Sequence, residues 1–209
     1  MNVAIVKYNA GNIYSVVNAL RRMGIEPLLT DDAELLRKAD RVLFPGQGHA
    51  AEAMDYLKAR RLDEVIRDLK QPVFGICVGQ QLLCRHSEEG DVDCIGIFDA
   101  EVKRFQPERH EDKVPCMGWN ELEVRGEWKE VRDYQINPIF EGIGDHPYVY
   151  FVHSYYVACD DESIVATTTN YDDVDFCSSI AKGNVFGAQF HPEKSQNVGL
   201  KMLRNFAEL

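Results

Sequence analysis

The sequence predicts an α/β protein built on a three-layer, mostly parallel central sheet, with helices on both faces and a mixed or antiparallel extension. Three observations point there. Continuous apolar runs at Val3–Val6, Val42–Phe44 and Val73–Ile76 have the pattern of central strands buried on both faces. Segments with helical spacing separate them, and this alternation implies a parallel sheet covered on both sides. After about Glu88 the helical period fades and strand-like segments follow one another between turns, which implies the mixed extension. The 209 residues suffice for one substantial core, so a single domain over 1–209 is expected.

In chain order, Val3-Ala-Ile-Val6 is the first strand. The turn Asn9-Ala-Gly-Asn12 leads into a helix carrying Ile13, Val16, Val17 and Leu20 on one face. Pro27–Thr30 is a second strand, and Asp31 or Asp32 caps the helix that carries Leu35 and Leu36. The third strand, Val42–Phe44, ends in Pro45-Gly-Gln-Gly48. Ala50, Ala53, Met54 and Leu57 then resume helical spacing, and Leu62, Val65, Ile66 and Leu69 repeat it out of phase, so two helices or a kink meet near Arg60-Arg61. The next strand, with Val73, Phe74 and Ile76, runs into the helix formers Gln80–Leu83 and places Cys77 at the corner. Beyond Glu88, Cys94–Phe98, Glu101–Phe105, Trp119–Val124 and Tyr148–Val152 read as strands, and Gln106–Lys113 and Glu127–Asn137 as loops. Val185–Phe190 is strand-like again, and Ser195 or Asn197 caps a last helix that buries Leu200, Leu203 and Phe206.

The formal net charge of −11 argues against nucleic-acid or anionic-membrane binding, because no basic stripe is available to displace counterions. The start lacks a basic segment followed by a long apolar one, and no run is long enough to span a bilayer, so a cytoplasmic location is expected. Six cysteines stand at 77, 84, 94, 116, 159 and 177, without a CxxC pair or a Cys/His cluster at zinc spacing, so no metal is expected. All but Cys77 read as small apolar residues and free thiols.

Cys77 differs because of its setting. Gly75-Ile-Cys77-Val-Gly79 has the form of a nucleophile elbow, in which residues without a Cβ let the following helix pack closely on the strand that feeds it. That helix points its free N–H groups and the positive end of its dipole at the sulfur, which favours thiolate. The alternative is a buried structural cysteine. A nucleophilic cysteine needs a base, and imidazole serves best near neutral pH. Pro192 biases His191 towards an extended conformation, in which residues two apart point the same way, so His191 and Glu193 lie side by side. Cys77, His191 and Glu193 then form a candidate triad, with Glu193 fixing the imidazole tautomer. His49, His86, His110 and His146 sit in polar or loop-like settings and read as solvated. His153 either positions substrate or is a core histidine bonded to backbone. The N–H of Val78 and a peptide of Gly46-Gln47-Gly48 can make an oxyanion site, although a plain strand-ending turn also accounts for the second.

These segments together resemble the class I, triad-type glutamine amidotransferases. The features of that class are Pro45-Gly-x-Gly48, Gly75-Ile-Cys-x-Gly79 with Gln81, and Gly187-Ala-Gln-Phe-His-Pro-Glu193. Tyr8-Asn-Ala-Gly-Asn12 with Ser15, Met117-Gly-Trp-Asn120, Tyr150-Phe-Val-His-Ser-Tyr155 and Glu193-Lys-Ser-Gln196 are similar to the branch whose members serve a (β/α)8 cyclase in histidine biosynthesis. The resemblance implies hydrolysis of glutamine to glutamate and ammonia through a thioester on Cys77, without a cofactor. Gly48 and Gln81, and the backbone around His153, Ser154 and Tyr155, would hold glutamine. Ammonia would pass to a cyclase partner that makes imidazole glycerol phosphate and an aminoimidazole ribonucleotide. Met117, Gly118, Trp119, Asn120, Tyr150 and Lys194 would lie at or near that heterodimer interface, against core packing for Trp119 and Tyr150 and a solvated charge for Lys194. Gln47, Asn9 and Gln80 depart from residues usual in the branch, and none is a catalytic group. The competing readings are an amidotransferase serving another synthase and a cysteine hydrolase acting alone.

Overall fold

The computed structural model describes residues 1–11, 13–108, 112–125, 138–144 and 146–209. The loop expected over Glu127–Asn137, part of that over Gln106–Lys113, and residues Asn12 and His110 lie outside them. The first half alternates β1 (Val3–Val6), α1 (Ile13–Arg22), β2 (Leu28–Thr30), α2 (Ala33–Lys38), β3 (Arg41–Gly46), α3 (Ala50–Ala59), α4 (Leu62–Asp68), β4 (Val73–Cys77) and α5 (Val78–Leu83). Short strands β5 (His86–Ser87) and β6 (Val92–Asp93) follow. Then come β7 (Glu101–Arg104), β8 (Cys116–Glu121), β9 (Glu123–Val124), β10 (Tyr148–His153), β11 (Tyr155–Ala158), β12 (Val165–Tyr171), β13 (Val174–Lys182) and β14 (Val185–Ala188). Helix α6 (Gln196–Glu208) closes the chain.

Among the described residues the main sheet runs in the order β2-β1-β3-β4-β14-β13-β11-β7-β5-β6, with β12 also on β13 and β9 on β12. From β2 to β14 every neighbour is parallel, and β1, β4 and β14 are buried along their whole length, as apolar runs covered on both faces must be. From β14 onward the pairing of β13, β11 and β7 is antiparallel, which is the expected extension. Helices α2, α3, α4 and α5 form one packed group, while α1 and α6 both pack on the turn Pro192–Lys194. Asp32 caps α2 by accepting from the N–H groups of Glu34 and Leu35. The break between α3 and α4 falls at Arg61, which takes a left-handed conformation with φ 55°.

Four readings need correction. Cys94–Phe98 is not a strand. It wraps the end of α5, where the N–H groups of Ile95, Ile97 and Phe98 bond the carbonyls of Leu82 and Leu83, so its apolar side chains cover a helix end that would otherwise leave orphan acceptors. Strands β8 and β10 do not extend the main sheet but pair with each other as a separate antiparallel ribbon. The last strand stops at Ala188 rather than Phe190. Leu200 is only half-buried on α6, which buries Met202, Leu203, Phe206 and Ala207 instead, and Asn197 does not cap it. Ser195 occupies the cap position without making a cap bond, because its hydroxyl is used elsewhere.

The hairpin β12–β13 was not anticipated. Tyr171 pairs with Val174 across Asp172-Asp173, whose φ values of 54° and 57° match the two-residue turn that suits the twist of antiparallel strands. Polar residues are buried within it beside Phe176 and Ile180: Thr167 Oγ1 bonds the hydroxyls of Ser178 at 2.8 Å and Ser179 at 2.7 Å, all three buried.

Candidate active site

The elbow is built as its glycines require. Cys77 ends β4 with φ 55° and ψ −114°, a strained backbone for a residue with a side chain. It is held because α5 turns back directly onto β3. A Cβ on Gly79 would collide with the carbonyl oxygen of Phe44, and one on Gly75 would meet the carbonyl of Gly79 at 2.8 Å. Parallel pairing then delivers the rest of the site. Gly46 is opposite Cys77 on β3, and Ala188 is opposite Ile76 on β14, so the loop after β3 and the segment after β14 emerge on either side of the sulfur.

His191 and Glu193 meet through a different geometry from the one expected. Pro192–Lys194 forms a single 3-10 turn, with His191 extended just before it. His191 Nδ1 lies 2.9 Å from Glu193 Oε1, and both side chains are buried. The same carboxylate oxygen accepts from Ser15 Oγ at 3.3 Å, which places the first helix against the base. The backbone of His191 is clamped as well. Its N–H donates to the carbonyl of Tyr150 on β10 at 2.9 Å, and its own carbonyl accepts from Ser195 Oγ at 2.7 Å. That hydroxyl in turn accepts from the N–H of Tyr150 at 3.0 Å.

A carboxylate accepts only, so the His191 proton sits on Nδ1 and Nε2 faces the thiol side without a formed hydrogen bond. Burial pulls this imidazole down. The adjoining Cys77 sulfur and the Glu193 carboxylate together outweigh burial and lift it to about 10. The arrangement therefore sets an imidazole that retains its proton beside the Cys77 sulfur.

A cleft of about 230 Å³ opens on the sulfur. Gln47, Gly48, Cys77, Val78, Gln81, His153, Ser154 and Tyr155 all line it, so the structure gathers eight predicted residues from three separate segments. Gly46 lies off the cleft, in a small cavity with His191 and Glu193, where a Cβ would run into the hydroxyl of Tyr8. The carbonyl of Gln47 accepts from the N–H of Gly11 at 2.8 Å, so the N–H of Gly48, in the same planar peptide, points the opposite way. Of the other departures from the usual pattern, Gln80 turns away from the cleft and donates to the carbonyl of Cys177 at 3.3 Å. Asn9 is exposed and bonds the carbonyl of Glu52 at 3.2 Å.

His153 is the core histidine bonded to backbone, and it also lines the cleft. Nδ1 donates to the carbonyl of Tyr155 at 2.7 Å, and the ring packs among Phe105, Phe151 and Phe176 while lining the cleft. Burial is the main cause that pushes this imidazole down to about 4, against the opposing bond to Tyr155. Below the ordinary value of 6.5 the unfolded chain takes a proton that the folded chain refuses, so stability falls as pH drops through the window from 6.5 to about 4. His153→Phe is expected to remove up to about 3 kcal/mol of that acid sensitivity. Urea midpoints taken across the window test this, and equal losses in both proteins would contradict it.

The other described histidines are peripheral. His49 is exposed, His86 pairs with Asp91 and Asp93 at 3.2 Å each, and exposed His146 contacts Glu121. Of the expected interface residues, Met117, Trp119 and Tyr150 share the outer face of the β8–β10 ribbon, Gly118 and Asn120 alternate onto its other face, and Lys194 stands off the ribbon in the turn Pro192–Lys194. Met117 is 64% exposed and Trp119 46%, which excludes core packing for Trp119. Trp119 is paired with Tyr150, their rings 6.0 Å apart, and Lys194 Nζ stands 5.7 Å from the Tyr150 ring. Gly118 is opposite Phe151, and Asn120 bonds the carbonyl of Asn170 at 2.9 Å. Tyr148, 52% exposed on the same face, was missed, although its two-residue offset from Tyr150 in a strand carries that signal.

Two cleft-side residues also escaped the sequence reading. Glu89 lines the wall and accepts from the N–H of Ala50 at 2.8 Å, the first residue of α3. Gln189 is fully buried beside the sulfur. Neither position carries a local pattern of its own, apart from the place of Gln189 inside the His-Pro-Glu segment.

Among the described residues no group of side chains is arranged to hold a metal ion, and no helix is long and apolar enough to cross a membrane. The sequence pattern of the class I glutamine amidotransferases matches residues 4–209. The chain is 52% identical to the imidazole glycerol phosphate synthase subunit HisH of Bacteroides thetaiotaomicron, with 100% of each chain covered. It is 44% identical to the protein of the same name from Idiomarina loihiensis, over 100% of this chain and 98% of that one. In fold it is similar to a crystal structure of a glutamine amidotransferase, with a TM-score of 0.73 at 21% identity over 99% of this chain and 98% of the other. It is also similar to a chain of PurLQS from Thermotoga maritima, with a TM-score of 0.70 at 18% identity over 99% and 97%. A full-length match to the amidotransferase pattern and relatives of this identity place the chain in a family: it belongs to the class I glutamine amidotransferases, among the HisH subunits of imidazole glycerol phosphate synthase.

Proposed function

We propose that this enzyme hydrolyses glutamine to glutamate and ammonia in the cleft beside Cys77 and delivers the ammonia to a (β/α)8 cyclase partner. The observation that carries the reading is the buried Cys77, His191 and Glu193 set opening on a cleft walled by Gln81, Glu89 and the Ser154–Tyr155 backbone. The Cys77 sulfur attacks the carboxamide carbon and forms the C–S bond, while the carbonyl electrons move onto oxygen. The N–H of Val78 and the loop Gly46-Gln47-Gly48 receive that charge. His191 gives its proton to the departing nitrogen, the C–N bond breaks, and a thioester remains. His191 then takes a proton from water, the hydroxide adds to the thioester, and glutamate leaves as the thiolate returns. Glu193 and Ser15 hold the imidazole in one tautomer through both halves. Glu89 supplies a negative charge in the wall that complements the ammonium group of an amino acid.

Ammonia released into water is protonated and loses its nucleophilicity, which makes direct transfer to a docked partner the useful outcome. The exposed Met117, Trp119 and Tyr148 with Tyr150 and Lys194 suit such a partner, since aromatic anchors dominate protein interfaces. Tyr150 also holds the His191 peptide, so docking on this ribbon bears on the base. In this reading the chain is one cytoplasmic domain in a heterodimer, and its partner makes imidazole glycerol phosphate and an aminoimidazole ribonucleotide for histidine biosynthesis.

The test is glutaminase activity measured alone and with a purified cyclase subunit and its nucleotide ligand. Low activity alone that rises on addition of both supports the reading. Full activity alone, unchanged by the cyclase, would replace it with a stand-alone amidohydrolase. Trp119→Ala is expected to weaken cyclase binding about thirtyfold by titration, the effect of losing a central aromatic anchor. Unchanged affinity would move the interface off the ribbon.

A further inference from the structure

The buried amides behind the sulfur have a fixed direction. Gln81 Nε2 donates to the carbonyl of Tyr155 at 3.0 Å, and a backbone carbonyl can only accept, so the nitrogen end of Gln81 is settled. The second hydrogen of that nitrogen goes to the side chain of Gln189 at 2.9 Å. The Gln189 atom there must therefore be its oxygen. Its amide nitrogen is left facing Cys77 Sγ at 3.7 Å, a donor distance suited to sulfur. Gln189, Gln81 and Cys77 are 0%, 2% and 3% exposed, so water does not compete for these bonds. The backbone of Gln189 is fixed too, its N–H donating to the carbonyl of Ser178 at 2.9 Å.

We propose that Gln189 is a further catalytic residue of this site, an oriented amide donor that touches the Cys77 sulfur and holds it as thiolate. The inference deepens the proposed function and rests on Cys77 being the nucleophile. An anionic sulfur accepts the Gln189 N–H more strongly than a thiol does, so the bond favours the attacking form. A neutral donor does this without competing for the His191 proton. Because the chain of amides begins at Tyr155 in the cleft wall, the same bonds tie the sulfur to the wall that faces substrate.

Alkylation of Cys77 by iodoacetamide tests this independently of glutamine turnover, followed by mass spectrometry of the Cys77 peptide in the intact protein. In Gln189→Met, which keeps length and bulk but has no donor, the rate at about pH 7 is expected to fall about tenfold and to recover towards the wild-type rate near about pH 10. Recovery is the signature of a lost thiolate-stabilising bond, because a merely blocked or displaced sulfur would react slowly at both pH values. Gln189→Asn, one methylene shorter, withdraws the same donor and serves if the methionine variant does not fold. A wild-type rate at neutral pH in either folded variant, or slow reaction at both pH values, overturns the proposal. If the wild-type protein shows no glutaminase activity with its partner but the alkylation pattern holds, the proposed function fails and the role of Gln189 at the sulfur stands.

Discussion

Replacing Cys77 by serine is expected to lower glutamine-dependent turnover about a thousandfold or more, while ammonia-dependent turnover by the cyclase partner continues. The size of the effect follows from the chemistry. The site sets the Cys77 sulfur next to an imidazole that Cys77 and Glu193 lift to about 10 despite burial. A serine hydroxyl does not ionise in that setting, so the pair loses its nucleophile and the imidazole loses the negative charge that holds its proton. The change removes no methylene and leaves the elbow backbone intact, so the complex should still assemble. Both rates are measured on the same assembled complex, with glutamine or ammonium as nitrogen donor. Loss of both rates in an assembled complex would mean that Cys77 is not the nucleophile of a separate glutaminase step.

Gly79→Ala is expected to remove the folded state under conditions where the parent is fully folded, a loss of about 4 kcal/mol or more. The added Cβ would fall on the carbonyl oxygen of Phe44 and 2.9 Å from its carbonyl carbon. Neither atom can swing aside as a flexible side chain would, because Phe44 belongs to β3, a strand flanked by β1 and β4, and is paired with Gly75 of β4. Relief requires α5 to move away from the sheet, which would also carry Val78 away from the cleft. Urea unfolding followed by circular dichroism reads the result, and a variant within about 1 kcal/mol of the parent would show that the close helix–strand contact is not what demands glycine.

The first half of the fold was legible because its signals are local. Buried strands such as Val3–Val6 and helices such as that carrying Val16, Val17 and Leu20 repeat at different periods, and the left-handed Arg61 falls where the two helical stripes go out of phase. The second half was less so. Thr167, Thr168, Thr169, Ser178 and Ser179 are buried polar residues that interrupt the apolar pattern of the hairpin β12–β13, and the hydroxyls of Thr167, Ser178 and Ser179 satisfy one another only once the strands are paired. Cys94–Phe98 misled for the opposite reason, being apolar because it covers a helix end.

In the site, the elbow glycines and the His-Pro-Glu segment marked Cys77, His191 and Glu193, the need for backbone donors pointed to Val78 and Gly46-Gln47-Gly48, and the resemblance to a known family supplied Gln81, Ser154, Tyr155 and the expected interface. The pairing of His191 with Glu193 was anticipated from an extended chain and is made by a 3-10 turn.

By itself the sequence determined the alternating α/β frame, the corner that presents residue 77, and the residue types able to move one proton between sulfur, imidazole and carboxylate. Those features are written in neighbours a few positions apart. Tertiary structure alone decided that Ser15 backs Glu193, that Tyr150 and Ser195 clamp His191, and that Gln81 turns the amide of Gln189 onto the sulfur. Each of those bonds joins segments remote in the chain, and the direction of a buried hydrogen bond depends on which acceptor the fold brings to the other end.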